Sequence, residues 1–342
     1  MRRDKKSEAS SSPHFKLRTD LIHPIPYPHH QSTMALPEVP PPSYAKVPYQ
    51  HIRIKHVPES APSPTQVVIL ELHRPKNHNA FTGIMTSEIV NALGLISADS
   101  RVKAVVFTGY PGHIFCAGAD LDIGFHQDPG PARDHRDGGG SVALAIYNCT
   151  KPVIGAINGS AVGVGITMTL PMAIRVVSNK AKIGFVFARR GLVMEACSSF
   201  FLPRLIGYSK AMHVCSTGTV YPSTSPLLNE LFSEIVEPEQ VLPKALEIAQ
   251  DIAANCSSVS VAMNKDLMWR GPDSPEAAQL LTSKVINELF GSKDNAEGVK
   301  SFMEKRQVKF TDQMPENAPR SWPWWNQIDA VPREGPLRKS KL

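Results

Sequence analysis

Acidic side chains are nearly missing from the middle of this 342-residue chain. Between Asp137 and Glu230 there is one, Glu195, against eight lysines and arginines. A lone carboxylate in an apolar, glycine-rich and otherwise basic stretch is either a helix-start acid or the chemistry. Cysteine is scarce as well. Cys116, Cys149, Cys197, Cys215 and Cys256 are odd in number, far apart and without a CxxC pair, which excludes a disulfide framework and a zinc site and fits a reducing compartment. No metal is expected. The body lacks an excess of either charge: the net +6 sits at the ends, where residues 1–33 carry six basic against three acidic side chains and residues 333–342 carry four against one. A neutral body without interleaved basic and aromatic residues argues against a nucleic-acid partner. An uncharged run long enough for a bilayer does occur at 152–174, but Asn158, four glycines and Pro171 break it into a strand, a turn and a short helix. No membrane span is expected.

What is present alternates between strand-like and helix-like patterns. HIRIKHV at 51–57 and VVILEL at 67–72 read as strands, followed by a helix over 82–98, where Ile84, Met85, Ile89, Ala92, Leu93 and Ile96 keep helical spacing. KAVVFTG at 103–109, PVIGAING at 152–159 and AIRVVS at 173–178 read as further strands, and a helix with Leu242, Ala245, Ala249 and Ile252 on one face covers 238–254. This order predicts an α/β fold of repeated units. Four regions are expected: a disordered Pro/Ser/His-rich extension at 1–49, an α/β core at 50–235, a helical region at 236–310 and a tail at 311–342. The extension has no apolar core of a secretory signal, and Met34 would serve as an alternative start. The tail closes on Ser340-Lys341-Leu342, a receptor-read peroxisomal address. The expected location is therefore the peroxisome and one expected partner its import receptor. Trp322, Trp324 and Trp325 are expected to dock on the body.

Two loops follow predicted strands. HIFCAGADLD at 113–122 offers Ala117, Gly118 and Ala119, small residues that let the backbone turn sharply and leave an N–H uncovered. Gly159 to Gly165 does the same at the opening of a helix, where unpaired N–H groups attract negative charge. Two such loops can aim two donors at one oxygen, as an oxyanion hole requires. Their glycines run GxxxGxG, which fits a dinucleotide site poorly.

These residues carry a resemblance. FCAGADL at 115–121, KPVIGAINGSAVGVG at 151–165, ARRGLVMEACSSFFLPRLIG at 188–207, LHRPKNHNAF at 72–81 and GVKSFMEKRQVKF at 298–310 resemble the crotonase, or enoyl-CoA hydratase/isomerase, superfamily over about residues 50–310. The resemblance implies a spiral of ββα units with a helical C-terminal trimerisation region, a homotrimer or hexamer, and an acyl-CoA thioester as substrate, with no cofactor beyond the coenzyme A it carries. It implies that the backbone N–H groups of Ala117 and Val164 hold the thioester oxygen. His73, Lys76, Asn79, Ala80, Gly118, Ala119, Asp120, Leu121 and Gly163 would line the substrate site, and Lys305 would reach CoA. Hydratases of this family use two glutamates, and their positions hold Thr167 and Phe187 here. Glu195 matches instead the single glutamate of peroxisomal 3,2-enoyl-CoA isomerases. Position 173, Asp in related sequences, is Ala. The expected reaction is thus the shift of a 3-enoyl-CoA to a 2-enoyl-CoA with Glu195 as base. The alternatives are hydration of an unusual enoyl-CoA, in fatty-acid or specialised metabolism, and a catalytically inactive acyl-CoA binder.

Overall fold

A computed structural model describes residues 36–125 and 131–330. The first strands are β1 (Ile52–His56) and β2 (Val67–Leu72), antiparallel to each other. After α1 (Gly83–Ala98), the chain alternates between two sheets. Strands β3 (Ala104–Gly109), β5 (Val153–Ile157), β7 (Ile174–Ser178) and β10 (Glu234–Val236) extend the first sheet in parallel, in the order β1-β2-β3-β5-β7-β10. Strands β4 (Ile114–Cys116), β6 (Ser160–Val162), β8 (Lys182–Gly184) and β9 (Val220–Pro222) form the second, in the order β4-β6-β8-β9. Each successive pair, β3/β4, β5/β6 and β7/β8, therefore adds one strand to each sheet. That is one turn of the expected spiral. Helix α2 (Gly138–Asn148) and the short α3 (Val164–Thr167) link the turns.

The sequence pattern explains the layers. In β2 all six residues are buried, because a strand's two faces are both covered here and successive side chains point to opposite sides. Val68, Leu70 and Leu72 join the core shared with α1 and the second sheet. Val67 and Ile69 face Ala245, Ala249 and Ala253 of α6 (Val241–Asn255), whose small side chains let the helix lie close to the sheet. Helices α4 (Ser198–Ile206) and α5 (Tyr208–Thr217) precede β9, and α7 (Ser258–Arg270), α8 (Pro275–Leu289) and α9 (Lys293–Met303) complete the helical C-terminal region. Among the described residues no helix is long and apolar enough to cross a membrane.

Two local expectations change. Gly159 does not open a helix directly: β6 intervenes, because residues 160–162 pair with β4 and β8. The boundary at 49 is also misplaced. Residues 36–49 pack on the body, with Tyr44 and Tyr49 buried, the Tyr44 hydroxyl donating to Asp99 at 3.0 Å and the Tyr49 hydroxyl to Asn91 at 2.8 Å. The rest of the expected extension, residues 1–35, lies outside the described residues. Ala173 is exposed, so no buried partner is lost there, and buried Arg175 donates to the carbonyls of Leu231, Leu170 and Met172 at 2.7, 3.0 and 2.7 Å.

The tryptophans dock as expected. Trp322 Nε1 donates to Asp266 at 2.8 Å and Trp324 Nε1 to the Arg270 carbonyl at 3.0 Å, while the Arg270 guanidinium lies between the rings of Tyr147 and Trp325. Replacing Tyr44 with Ala is expected to destabilise the protein by about 3–5 kcal/mol, the usual range for emptying a buried aromatic site. Urea unfolding reads this directly. An unchanged midpoint would mean that 36–49 contributes nothing to the fold.

Candidate active site

The second sheet and the turns after its strands bring the functional residues together. Gly118, in the turn after β4, has φ +94°, and a side chain there would lie 2.9 Å from the Val162 carbonyl. The turn after β4 and the turn after β6 thus touch, with glycine required at the contact. A Cβ on Gly165 would lie 2.4 Å from the Cys116 carbonyl, which makes the same demand one turn later.

This approach selects the backbone donors. Val164 is the first residue of α3, where helix geometry leaves N–H groups without a partner inside the helix. The N–H of Ala117 is already used: it donates to the His78 carbonyl at 3.1 Å. Ala119 sits on an isolated parallel bridge with Phe81, whose two hydrogen bonds involve Gly118 O and Asp120 N. The bridge therefore leaves the Ala119 N–H unused, two residues from the donor expected from the motif.

Glu195 lies in the loop between Arg190 and α4. Thr167, at the end of α3, donates its hydroxyl to Glu195 Oε1, and a methyl group on Gly139 would fall 1.8 Å from Glu195 Oε2 and 3.0 Å from Val164 Cγ2. The carboxyl and the donor-bearing residue Val164 are therefore neighbours over the first turn of α2. The loop is held in an unusual backbone state. Ala196 and Cys197 both have left-handed φ, 53° and 55°, which is rare for side chains other than glycine and asparagine. Three bonds hold the turn: Ser198 N and Oγ donate to the Glu195 carbonyl at 2.9 and 2.5 Å, and Ala196 N donates to Asp137 Oδ1 at 3.2 Å.

Asp137 is the residue that the sequence motifs did not single out. It caps α2, accepting from Gly140 N at 2.5 Å, as aspartate at a helix start commonly does. Its signal was the run Asp-Gly-Gly-Gly at 137–140. Three glycines at a helix start are poor helix formers, and each is explained by space: a Cβ on Gly138 would meet Thr86 Oγ1 at 2.8 Å, on Gly139 Glu195, and on Gly140 Asp137 Oδ2 at 2.6 Å.

Burial pushes the Glu195 carboxyl up to about 7, with the charge of Asp137 adding to the rise and the Thr167 hydroxyl opposing it. The arginines that could have reversed this point elsewhere. Arg189 donates to the Thr217 carbonyl and the Thr219 hydroxyl, each at 2.7 Å, and Arg190 is exposed. A carboxyl near 7 populates its acid and base forms together at neutral pH.

The remaining expected site residues are spread over several places. Gly118, Ala119 and Gly163 form the touching turns, and Leu121, 64% exposed, stands just beyond them. Asp120 and Asn79 are structural ties. Arg74 binds Asp120 at 2.7 Å and the Ala80 carbonyl at 2.6 Å, while Asn79 accepts from Arg74 N at 2.9 Å and donates to the Phe115 carbonyl at 3.1 Å. Ala80 is buried beside them and Lys76 is exposed on the same loop. His73 contacts Glu71 at 2.9 Å and packs edge-on against Tyr110. Lys305 is exposed after α9. Phe187, half-buried, begins a single helical turn ending at Arg190. Ser340, Lys341 and Leu342 lie outside the described residues.

Comparison with known proteins gives a consistent result. The sequence profile of the family "Enoyl-CoA hydratase/isomerase" matches residues 63–313. Enoyl-CoA hydratase ACTT3 of Alternaria alternata is 49% identical over 278 residues, covering 81% of this chain and 92% of that protein. The short-chain-enoyl-CoA hydratase of Clostridium acetobutylicum is 29% identical over 245 residues, covering 71% and 94%. A crystal structure of a probable enoyl-CoA hydratase/isomerase from Mycobacterium abscessus superposes with a TM-score of 0.67 at 30% identity, covering 72% of this chain and 96% of that one.

Proposed function

The chain belongs to the enoyl-CoA hydratase/isomerase family, and on that premise we propose that it adds water across the C2–C3 double bond of a 2-enoyl-CoA. The observation that carries this reading is the raised carboxyl of Glu195, seated beside Val164 at the start of α3. In the proposed step, the water oxygen bonds to C3 and the π electrons of C2=C3 move onto the thioester oxygen. The N–H groups of Ala119 and Val164 hold that oxygen. Glu195 takes the proton released by water and returns it to C2, so one carboxyl serves as base and then as acid. The relatives at 49% and 29% identity carry the name hydratase, which supports hydration over the isomerisation that the motifs alone favour.

A second reading keeps support from one observation. Thr167 and Phe187 occupy the positions of the family hydratases' two glutamates, and a single carboxyl suffices to take a proton from C2 of a 3-enoyl-CoA and return it at C4. Assaying both conversions on one preparation separates the two readings.

For location, the closing Ser340-Lys341-Leu342 supports peroxisomal import. A fluorescently tagged copy lacking these three residues is expected in the cytosol, and its import would contradict the assignment. For assembly, the family supports a homotrimer or hexamer, and exposed apolar side chains on α9 and just before it, Phe290, Val299, Phe302 and Met303, supply a surface suited to subunit contact.

A further inference from the structure

Asp137 does more than cap a helix. Its Oδ1 accepts two backbone N–H groups, from Gly140 in α2 and from Ala196, the residue that follows Glu195. Its Oδ2 lies against Gly140, while Oε2 of Glu195 lies against Gly139. The second oxygens of two carboxyl groups therefore sit over successive glycines of one helical turn, with no side chain from that turn between them.

We propose that Asp137 is a positioning residue for Glu195: the two carboxyl groups form a pair that shares one proton, with the negative charge resting on Asp137 and the proton on Glu195. This deepens the reading of Glu195 as the acid–base group and rests on it.

Three physical arguments support the pair. Two carboxylates in close contact ionise together only at a large cost, so one of them keeps a proton near neutral pH. The N–H donors and the positive end of α2, an 11-residue helix, point at Asp137 Oδ1, which places the charge there. Among the described residues no backbone N–H donates to Glu195 Oε2. The other titratable groups facing the pair are Cys116, from β4, and Cys197, at the cap of α4. Burial pushes the Cys116 thiol up to about 12 and raises Cys197 as well, so both stay neutral. Arg136, the cation next to Asp137 in sequence, donates to the Arg133 and His135 carbonyls at 2.9 and 2.8 Å, and Arg74 is engaged by Asp120. The proposed consequence is that Asp137 tunes Glu195 to accept a proton in one half of the reaction and donate it in the other.

The test is Asp137→Asn, whose amide oxygen can still accept both N–H groups while the charge is gone. Infrared difference spectra of wild type minus Glu195→Gln, taken without substrate across a pH series, isolate the protonated Glu195 carbonyl. In the wild type this signal should disappear with a midpoint near 7. In the Asp137→Asn background the midpoint should fall by about one pH unit or more, and the acidic limb of the kcat/KM profile for 2-enoyl-CoA hydration should move with it. A merely structural Asp137 would lower activity without moving either midpoint, and that result overturns the proposal. If Asp137→Asn fails to fold, Asp137→Ser retains an N-cap side chain without charge and is read in the same way. A shifted infrared midpoint in a protein that does not hydrate leaves the pair standing and removes the hydratase reading. Hydration with an unshifted midpoint does the reverse.

Discussion

Replacing Glu195 with glutamine is expected to lower turnover by about 10²- to 10⁴-fold, the usual worth of a positioned general base. Glutamine keeps the shape and can still accept from Thr167, yet it can neither take nor give a proton. Binding of a saturated acyl-CoA should change little, because the donors at Ala119 and Val164 remain. Thr167→Ala is the control: it removes a hydrogen bond to Glu195 and leaves the carboxyl, so its effect should be smaller. The same glutamine should stabilise the fold at alkaline pH. A carboxyl raised from its ordinary value to about 7 binds its proton more tightly in the folded state. Wild-type stability then falls as pH rises between about 4.5 and 7, by about 3 kcal/mol for a shift of this size. Glu195→Gln removes that slope, so its advantage over the wild type should appear at pH 8 and be absent at pH 4. Full activity in the variant would rule out the assigned role.

Gly139→Ala should inactivate the enzyme through space alone. The added methyl would stand 1.8 Å from Glu195 Oε2, so the carboxyl must swing away from Thr167 and from Val164. A displacement of about 1 Å at a reacting group can lower the rate by about 10²-fold, and a loss of at least that size is expected here. Alanine is a better helix former than glycine by about 1 kcal/mol, and residue 139 lies within the first turn of α2. Thermal stability should therefore hold or fall far less than activity does. Loss of both together would mean that the substitution disrupts α2 instead of displacing the carboxyl.

Much of the architecture was legible because the buried strands are short apolar runs bounded by glycine, and because α1 and α6 keep their apolar positions in helical register. The strand β6 was not, since three residues between glycines carry too little pattern to separate a strand from the start of a helix. Residues 36–49 read as linker from their prolines, while the two tyrosines that bind Asp99 and Asn91 depend on partners about 40 to 55 residues away. At the site, Glu195 stood out because no other acid surrounds it in sequence. Asp137 did not, because it marks the edge of the acid-poor stretch and its nearness to Glu195 exists only in the folded chain. The unused backbone N–H of this turn lies two residues beyond the expected donor for a related reason. Ala117 and Ala119 are equivalent in composition, and only the pairing of the turn shows that the Ala117 N–H is taken by His78.

The role given to Glu195 and the two backbone donors is tested most directly by supplying the purified full-length protein with a 2-enoyl-CoA and, separately, with a 3-enoyl-CoA, and identifying the products by mass and retention. The account predicts that the 2-enoyl-CoA gains one water to give a 3-hydroxyacyl-CoA, and that this activity is lost in Glu195→Gln. Conversion of the 3-enoyl-CoA to its 2-enoyl isomer, with no water added to either substrate, would contradict it.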